Sequence, residues 1–198
     1  MSSEKDVAAL DGYVCSSFGG NAAARLKIAE GEGCKANRKG GARKKLTKSD
    51  IIFFSGHHFA RYDAPLEFDS IDLKEIKFHA PRVRLLMISS CAGLRRNAAT
   101  RFRAKFPNAY VFGWLAGAPL TQKKMMSKFI TGLDARVDIH TEAGMKDLVA
   151  KWRAYIESLV SSKGSVSPWG LGYFTPAGER SYYVTKNGTW QWVTNSIK

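Results

Sequence analysis

A histidine pair and a cysteine each follow a short apolar run in this sequence. The run at 51–54 leads through Ser-Gly into His57 and His58, and the run at 85–88 leads through Ser-Ser into Cys91. Short apolar runs predict buried strands, and groups just past the carboxyl ends of strands lie where open α/β sheets bind their ligands. An imidazole and a thiol at one sheet edge predict nucleophilic catalysis by cysteine.

The chemistry requires a base close to the thiol. An imidazole takes the thiol proton and produces a thiolate, which is the nucleophilic form. If the two strands are parallel neighbours, about 4.8 Å apart, both side chains emerge at the same edge. Ser89 and Ser90 leave room for a peptide carbonyl and are candidates for the substrate pocket, and the backbone N–H of Cys91 is a candidate donor to the oxyanion. The alternative is an inert packing cysteine and a histidine that only satisfies backbone groups.

Substrate selectivity stays open at this level. Asp63 and Glu67 would suit a basic residue before the cut bond, whereas Arg95 and Arg96 beside Cys91 would suit an acidic one. Opposite charges attract most strongly when both are partly removed from water. Asp63 and Arg95 are therefore both candidates for the substrate pocket, Asp63 for a basic substrate residue and Arg95 for an acidic one.

The surrounding sequence predicts elements that could position these groups. Strands alternate with helices and are joined by short segments, which predicts a parallel sheet with helices on its faces. The predicted helices are 22–29, 97–106, 121–133 and 142–160, with a shorter helix or turn at 70–76, and additional strands are predicted at 11–18 and 109–112. Thr141 is a candidate N-cap for the last helix.

The residue pattern changes near the end of the chain. After Gly164 aromatic residues alternate with polar ones, and Asn187-Gly188 between β-formers predicts a hairpin. We therefore divide the chain into a main domain at 1–164 and an aromatic β-meander at 165–198 that packs on the same domain. Trp190 and Trp192 fall on one strand face, where packing is favoured over a ligand platform because aromatic rings usually bury their large apolar area.

The segment from Asp50 to about Leu120 resembles the catalytic core of the caspase-like cysteine peptidases, and is closest in pattern to the bacterial CHAT-domain proteases. The family pattern is an apolar strand ending in His-Gly, an intervening helix, and an apolar strand ending in a small residue and Cys. Residues 50–57 match the first half, and residues 69–73 followed by 83–93 resemble the second. The resemblance implies an α/β fold, a caspase-like three-layer sandwich with a mostly parallel central sheet flanked by helices, here followed by the C-terminal β-meander.

By the same resemblance, Cys91 is the nucleophile and His57 is the general acid/base, which protonates the leaving amine. The backbone N–H of His58 is the second oxyanion donor beside that of Cys91. The family usually has glycine where this chain has His58. His58 is the alternative imidazole if the strand register is shifted by one residue, since adjacent strand residues point to opposite faces.

Composition sets further bounds. The chain has 198 residues, 44% of them hydrophobic, and a formal net charge of +14. It shows neither an apolar stretch long enough to cross a membrane nor a leader, which predicts a cytoplasmic protein without membrane contact. Its 3 cysteines and 4 histidines lack metal-ligand spacing, so neither a metal nor a cofactor is predicted.

Much of the positive charge lies in the loop at 35–48, which contains no acidic residue. Such a loop is usually a solvated surface, but it could attract nucleic acid or an acidic protein. In a caspase-like enzyme it could also be a processing site.

These observations predict a cysteine endopeptidase that cleaves a partner protein through a Cys-His dyad, regulated by processing or by a separate regulatory protein. The alternative is a catalytically inactive caspase-like binding module that uses its basic surface for nucleic acid or an acidic protein. A third class, an unrelated α/β hydrolase or acyltransferase using Cys91, is disfavoured because the sequence lacks a GxSxG elbow and a glycine-rich phosphate loop.

Overall fold

The structure is a computed structural model. It describes residues 13–17, 27–29, 50–55, 67–68, 71–72, 81–89, 91–119, 122–133, 137–161 and 167–197. In this part of the chain, one mixed sheet of eight strands carries three helices, and two further short strands pair with each other. The protein is therefore of mixed α/β class.

The strands follow the chain in order. They are β1 (Tyr13–Ser17), β2 (Lys27–Ala29), β3 (Ile51–Ser55), β4 (Glu67–Phe68), β5 (Ile71–Asp72), β6 (Leu85–Ser89), β7 (Tyr110–Trp114), β8 (Leu171–Phe174), β9 (Glu179–Lys186) and β10 (Thr189–Ser196). The helices are α1 (Arg96–Lys105), α2 (Gln122–Thr131) and α3 (Glu142–Ser161). Strands β4 and β5 form the separate two-stranded pair.

The prediction of a mostly parallel sheet is wrong. The strand order is β10-β9-β8-β7-β6-β3-β1-β2, in which β3, β6 and β7 are parallel to one another. The other five pairings in this sheet are antiparallel. Strands β7 to β10 lie on one side of β6, and short turns join β8 to β9 and β9 to β10. Each of these two pairs is antiparallel because a tight turn can join only antiparallel neighbours.

The parallel centre is the most buried part of the sheet. All five residues of β6 are buried, as a continuous apolar run predicts for a strand covered on both faces. On one face Phe112 of β7 stacks on Trp152 of α3, with ring centroids 4.9 Å apart, and Phe129 of α2 joins them. On the other face Gly113 lies against Ile88 and Leu94, the last residue but one before α1. The parallel centre of the sheet is thus covered on both faces.

Three of the predicted helices are confirmed with small shifts in their ends. Helix α1 buries Ala98, Ala99 and Phe102. Thr141 caps α3, since its Oγ1 accepts the backbone N–H of Gly144 at 3.1 Å.

Two local predictions differ from the structure. The predicted helix at 22–29 is wrong at its carboxyl end, where β2 (Lys27–Ala29) pairs with β1. The predicted helix or turn at 70–76 instead begins with β5 (Ile71–Asp72), which pairs with β4. In both places, pairing with another segment outweighs the helix propensity of the residues.

The predicted aromatic meander is confirmed and extends the main sheet. Asn187 and Gly188 have φ of 52° and 76°, as the two-residue turn between β9 and β10 requires. Trp192 packs beneath Arg153, which lies 4.5 Å from its ring centroid, and its Nε1 donates to Glu157 Oε1 at 2.6 Å. These contacts join the hairpin to α3 and support the packing role.

Candidate functional site

The two strands that lead to the predicted catalytic residues are neighbours. Strand β3 pairs with β6 in parallel, and Ser55 lies opposite Ser89 in their register. In the sequence, His57 follows Ser55 by two positions and Cys91 follows Ser89 by two positions. Because the strands run in the same direction, Ser55 and Ser89 end them at the same edge of the sheet and at the same level.

Cys91 opens a tight turn that is anchored to the strand beside it. The N–H of Ala92 donates to Ala116 O at 2.7 Å, and the N–H of Leu94 donates to Trp114 O at 2.9 Å. Ala92 has φ of 60°, the left-handed region, which costs a residue with a Cβ about 1–2 kcal/mol. The turn keeps this conformation because flanking hydrogen bonds and burial determine it. Strain of this kind next to a thiol is typical of functional turns.

Gly93 allows the turn to lie close to the sheet. A Cβ at this position would be 2.7 Å from Cγ2 and 3.0 Å from Cβ of Ile88. Ile88 is fully buried in β6 and cannot move away at low cost. The small residue that the sequence shows after Cys91-Ala92 is thus required by packing against the strand.

Cys91 is half-buried, and its sulfur has a backbone donor. The N–H of Ala118 points at Cys91 Sγ with an N-to-S distance of 3.3 Å. Ala118 lies in the segment after β7, so the same stretch that anchors the turn also contacts its sulfur. Sequence analysis did not identify Ala118, because a backbone donor 27 positions away leaves no side-chain signal.

Of the remaining predicted site residues, two are described by the structure and four are not. Ser89 is fully buried, and its Oγ has no hydrogen-bond partner among the described residues. Arg95 is exposed and is the N-cap residue of α1. His57, His58, Asp63 and Ser90 lie outside the described residues, as does the basic loop at 35–48. The oxyanion and pocket roles of all these residues stay predictions.

A charged cluster that sequence analysis missed lies at the opposite end of β3. Asp50 is fully buried directly before this strand. Its carboxylate accepts Arg82 Nε at 2.8 Å and Arg82 Nη2 at 3.3 Å, and His140 Nε2 is 3.8 Å from Oδ1. The carboxylate of Asp50 raises the pKa of Arg82 by hydrogen bonding and by its charge. The cluster ties the amino end of β3 to the segment before β6, away from Cys91.

Neither a membrane span nor a metal cluster is found in the described part of the chain. No helix there is both long enough and apolar enough to cross a bilayer. No three side chains of His, Cys, Asp or Glu in the same residues lie in a group that could bind a metal ion.

The chain was compared with protein-family models, with curated proteins and with solved structures, and no match was found in any of the three comparisons.

Proposed function

We propose that this protein is a cysteine endopeptidase of caspase-like type, in which Cys91 is the nucleophile and His57 is the general acid/base. The observation that carries the proposal is the parallel pairing of β3 and β6, with Ser55 opposite Ser89. Each proposed catalytic residue follows its serine by two positions in the sequence. Equal spacing beyond level strand ends supports a catalytic pair at one edge of the sheet.

The Cys91 turn supports the same chemistry. Cys91 is half-buried, its sulfur accepts an N–H from Ala118, and backbone hydrogen bonds to Trp114 and Ala116 anchor the turn. A nucleophile on a rigid turn loses little conformational entropy when the substrate is attacked.

In the proposed reaction, His57 takes the thiol proton and the sulfur of Cys91 forms a bond to the carbonyl carbon of the peptide. The tetrahedral intermediate collapses to a thioester as the C–N bond breaks, and His57 gives the proton to the leaving amine. Water, deprotonated by the same imidazole, then cleaves the thioester and restores the thiol. The backbone N–H groups of Cys91 and His58 are the proposed donors to the oxyanion.

The test measures the alkylation rate of each cysteine in the native protein between about pH 5 and 9 by peptide mass spectrometry. Cys15 and Cys34 serve as internal references. We expect Cys91 to react fastest below the ordinary thiol pKa of about 8.5, and to lose this advantage in His57→Ala but not in His58→Ala. The reverse dependence on the two histidines would assign His58 as the base.

Peptide hydrolysis completes the test. A peptide library should be cleaved by the native chain and not by Cys91→Ala, and intact mass should show whether the loop at 35–48 is cut during incubation. If Cys91 labels no faster than the reference cysteines and no peptide is cleaved, the peptidase is excluded. Steeply salt-dependent binding of nucleic acid by Cys91→Ala would then support the binding module.

A further inference from the structure

A second candidate site lies between the start of α1 and the last hairpin of the sheet. A cavity of about 440 Å³ is lined there by Arg96, Arg180, Asn195, Ser196 and Ile197. This volume falls within the range of about 300–1,000 Å³ that is typical of small-molecule sites. Two of its five lining residues are arginines and two more are polar.

Arg180 is the fixed cation of this cavity. Its Nη1 donates to Leu94 O at 2.9 Å, and its Nε donates to Asn195 Oδ1 at 3.1 Å. The guanidinium carbon also lies 5.4 Å from the ring centroid of Tyr182. A guanidinium has five N–H donors in a planar fork, and these two hydrogen bonds use two of them. The side chain is thus oriented while donor capacity is left over.

Among the described residues, no acidic group neutralises the charge of Arg180. Both hydrogen-bond acceptors are neutral, and within the described ranges Arg180 forms no ion pair. Burial lowers the pKa of Arg180 from its ordinary value, which reflects a cation partly removed from water. A partly buried charge without a counter-ion is unfavourable, so an anion in the cavity would relieve it.

The neighbouring helix end adds to the positive potential. The first turn of α1 contains no acidic residue, and the N-cap residue Arg95 makes no side-chain capping bond. Arg96, the first residue of the helix, lines the cavity. The amino end of a helix carries about half a positive charge on its unpaired N–H groups. Two guanidinium groups and one helix end therefore act on the same space.

We propose that this cavity is a binding site for the oxyanion group, phosphate or carboxylate, of a small ligand. Arg180 provides the planar fork that both groups accept in two parallel hydrogen bonds, Arg96 adds charge, and Asn195 and Ser196 contribute polar contacts. The cavity is built by α1, β9 and β10, and its cation contacts Leu94 rather than the thiol. The proposal therefore does not depend on the peptidase activity.

Isothermal titration calorimetry at constant ionic strength tests the site with three probes: inorganic phosphate, phosphoserine and glutamate. We expect saturable binding of one anion per chain for at least one probe. Tighter binding of phosphoserine than of glutamate assigns a phosphorylated ligand, and the opposite order assigns a carboxylate ligand. Phosphate binding as tight as that of phosphoserine identifies the free ion as sufficient.

The variant Arg180→Gln should weaken binding at least tenfold, and Arg96→Gln, which alters an exposed residue, should weaken it several-fold. Lys186→Gln removes one exposed positive charge from the far end of β9 and should leave the affinity unchanged. Cys91→Ala should also bind normally. Absence of saturable binding for all three probes, or equal weakening by Lys186→Gln, would overturn the proposal. If circular dichroism shows that Arg180→Gln does not fold, the affinities of Arg96→Gln and Lys186→Gln are compared instead. Weaker binding by Arg96→Gln alone would support the proposal, and equal affinities would overturn it.

Discussion

The guanidinium of Arg82 donates two hydrogen bonds, of 2.8 Å and 3.3 Å, to the fully buried carboxylate of Asp50. Asp50 precedes the strand that leads to His57, and Arg82 lies shortly before the strand that leads to Cys91. This pair therefore connects the amino ends of the two strands whose carboxyl ends form the candidate site. It contributes to the fixed register between them.

Loss of Arg82 should destabilise the fold more than loss of both partners. In Arg82→Met, the carboxylate of Asp50 stays buried without its guanidinium partner, and we expect the free energy of unfolding to fall by about 1–3 kcal/mol. The double variant Asp50→Leu/Arg82→Met should recover part of this loss, because no charge is left buried. Urea denaturation of the four members of the cycle measures the coupling. Additive effects would show that the pair does not stabilise this end of the sheet.

Gly93 should be intolerant of a side chain. In Gly93→Ala the new Cβ would overlap Ile88, so we expect a destabilisation of about 1–3 kcal/mol together with altered alkylation of Cys91. Gly117→Ala is the matched control, because a Cβ at that nearby position meets no atom within 4 Å. Thermal unfolding and thiol labelling of both variants provide the comparison. Equal stability of the two would mean that the turn does not pack closely on β6.

Tyr155 should make stability depend on alkaline pH. Its hydroxyl donates to Met125 O at 2.9 Å, and burial raises its pKa above the ordinary value of 10.0. The unfolded chain therefore loses this proton at lower pH than the folded chain. The contribution is complete below about pH 10 and is lost as the pH rises through the folded-state pKa.

The variant Tyr155→Phe separates this effect from general alkaline unfolding. At pH 8 it should be less stable by about 1 kcal/mol through loss of the hydrogen bond. Above pH 10 its stability should fall less steeply than that of the native chain. Some dependence of stability on pH should remain in Tyr155→Phe, because burial also raises the pKa of Tyr110. Identical slopes in urea denaturation at pH 8 to 11 would contradict the assignment.

Trp192 should contribute to stability through packing, whereas Trp169 should not. Trp192 contacts Tyr173 and Tyr183, lies beneath Arg153 and donates to Glu157. We expect Trp192→Ala to cost about 2–4 kcal/mol. Trp169 has 43% of its surface exposed, and Trp169→Ala should change stability by less than about 1 kcal/mol. A larger loss of stability in Trp169→Ala than in Trp192→Ala would contradict the packing role of Trp192.

Several features of the fold could be predicted from local sequence. The apolar run at 85–88 became a fully buried strand, Thr141 capped α3, and Asn187-Gly188 formed the last hairpin turn. Each depends on a few consecutive residues, whose periodicity, capping chemistry or φ preference is a local property. The exit of Cys91 from the carboxyl end of β6 is determined in the same way.

Only the tertiary structure decided which strands are neighbours and in which direction they run. An apolar or alternating run reports how far each face of a strand is buried and does not report the direction of the neighbouring strand, so the local pattern could not reveal that most pairings are antiparallel. The contact of Ala118 with the sulfur of Cys91 and the pairing of Arg180 with Leu94 join residues 27 and 86 positions apart. Such contacts depend on the closure of the whole sheet, because burial and hydrogen bonding of distant segments determine them together.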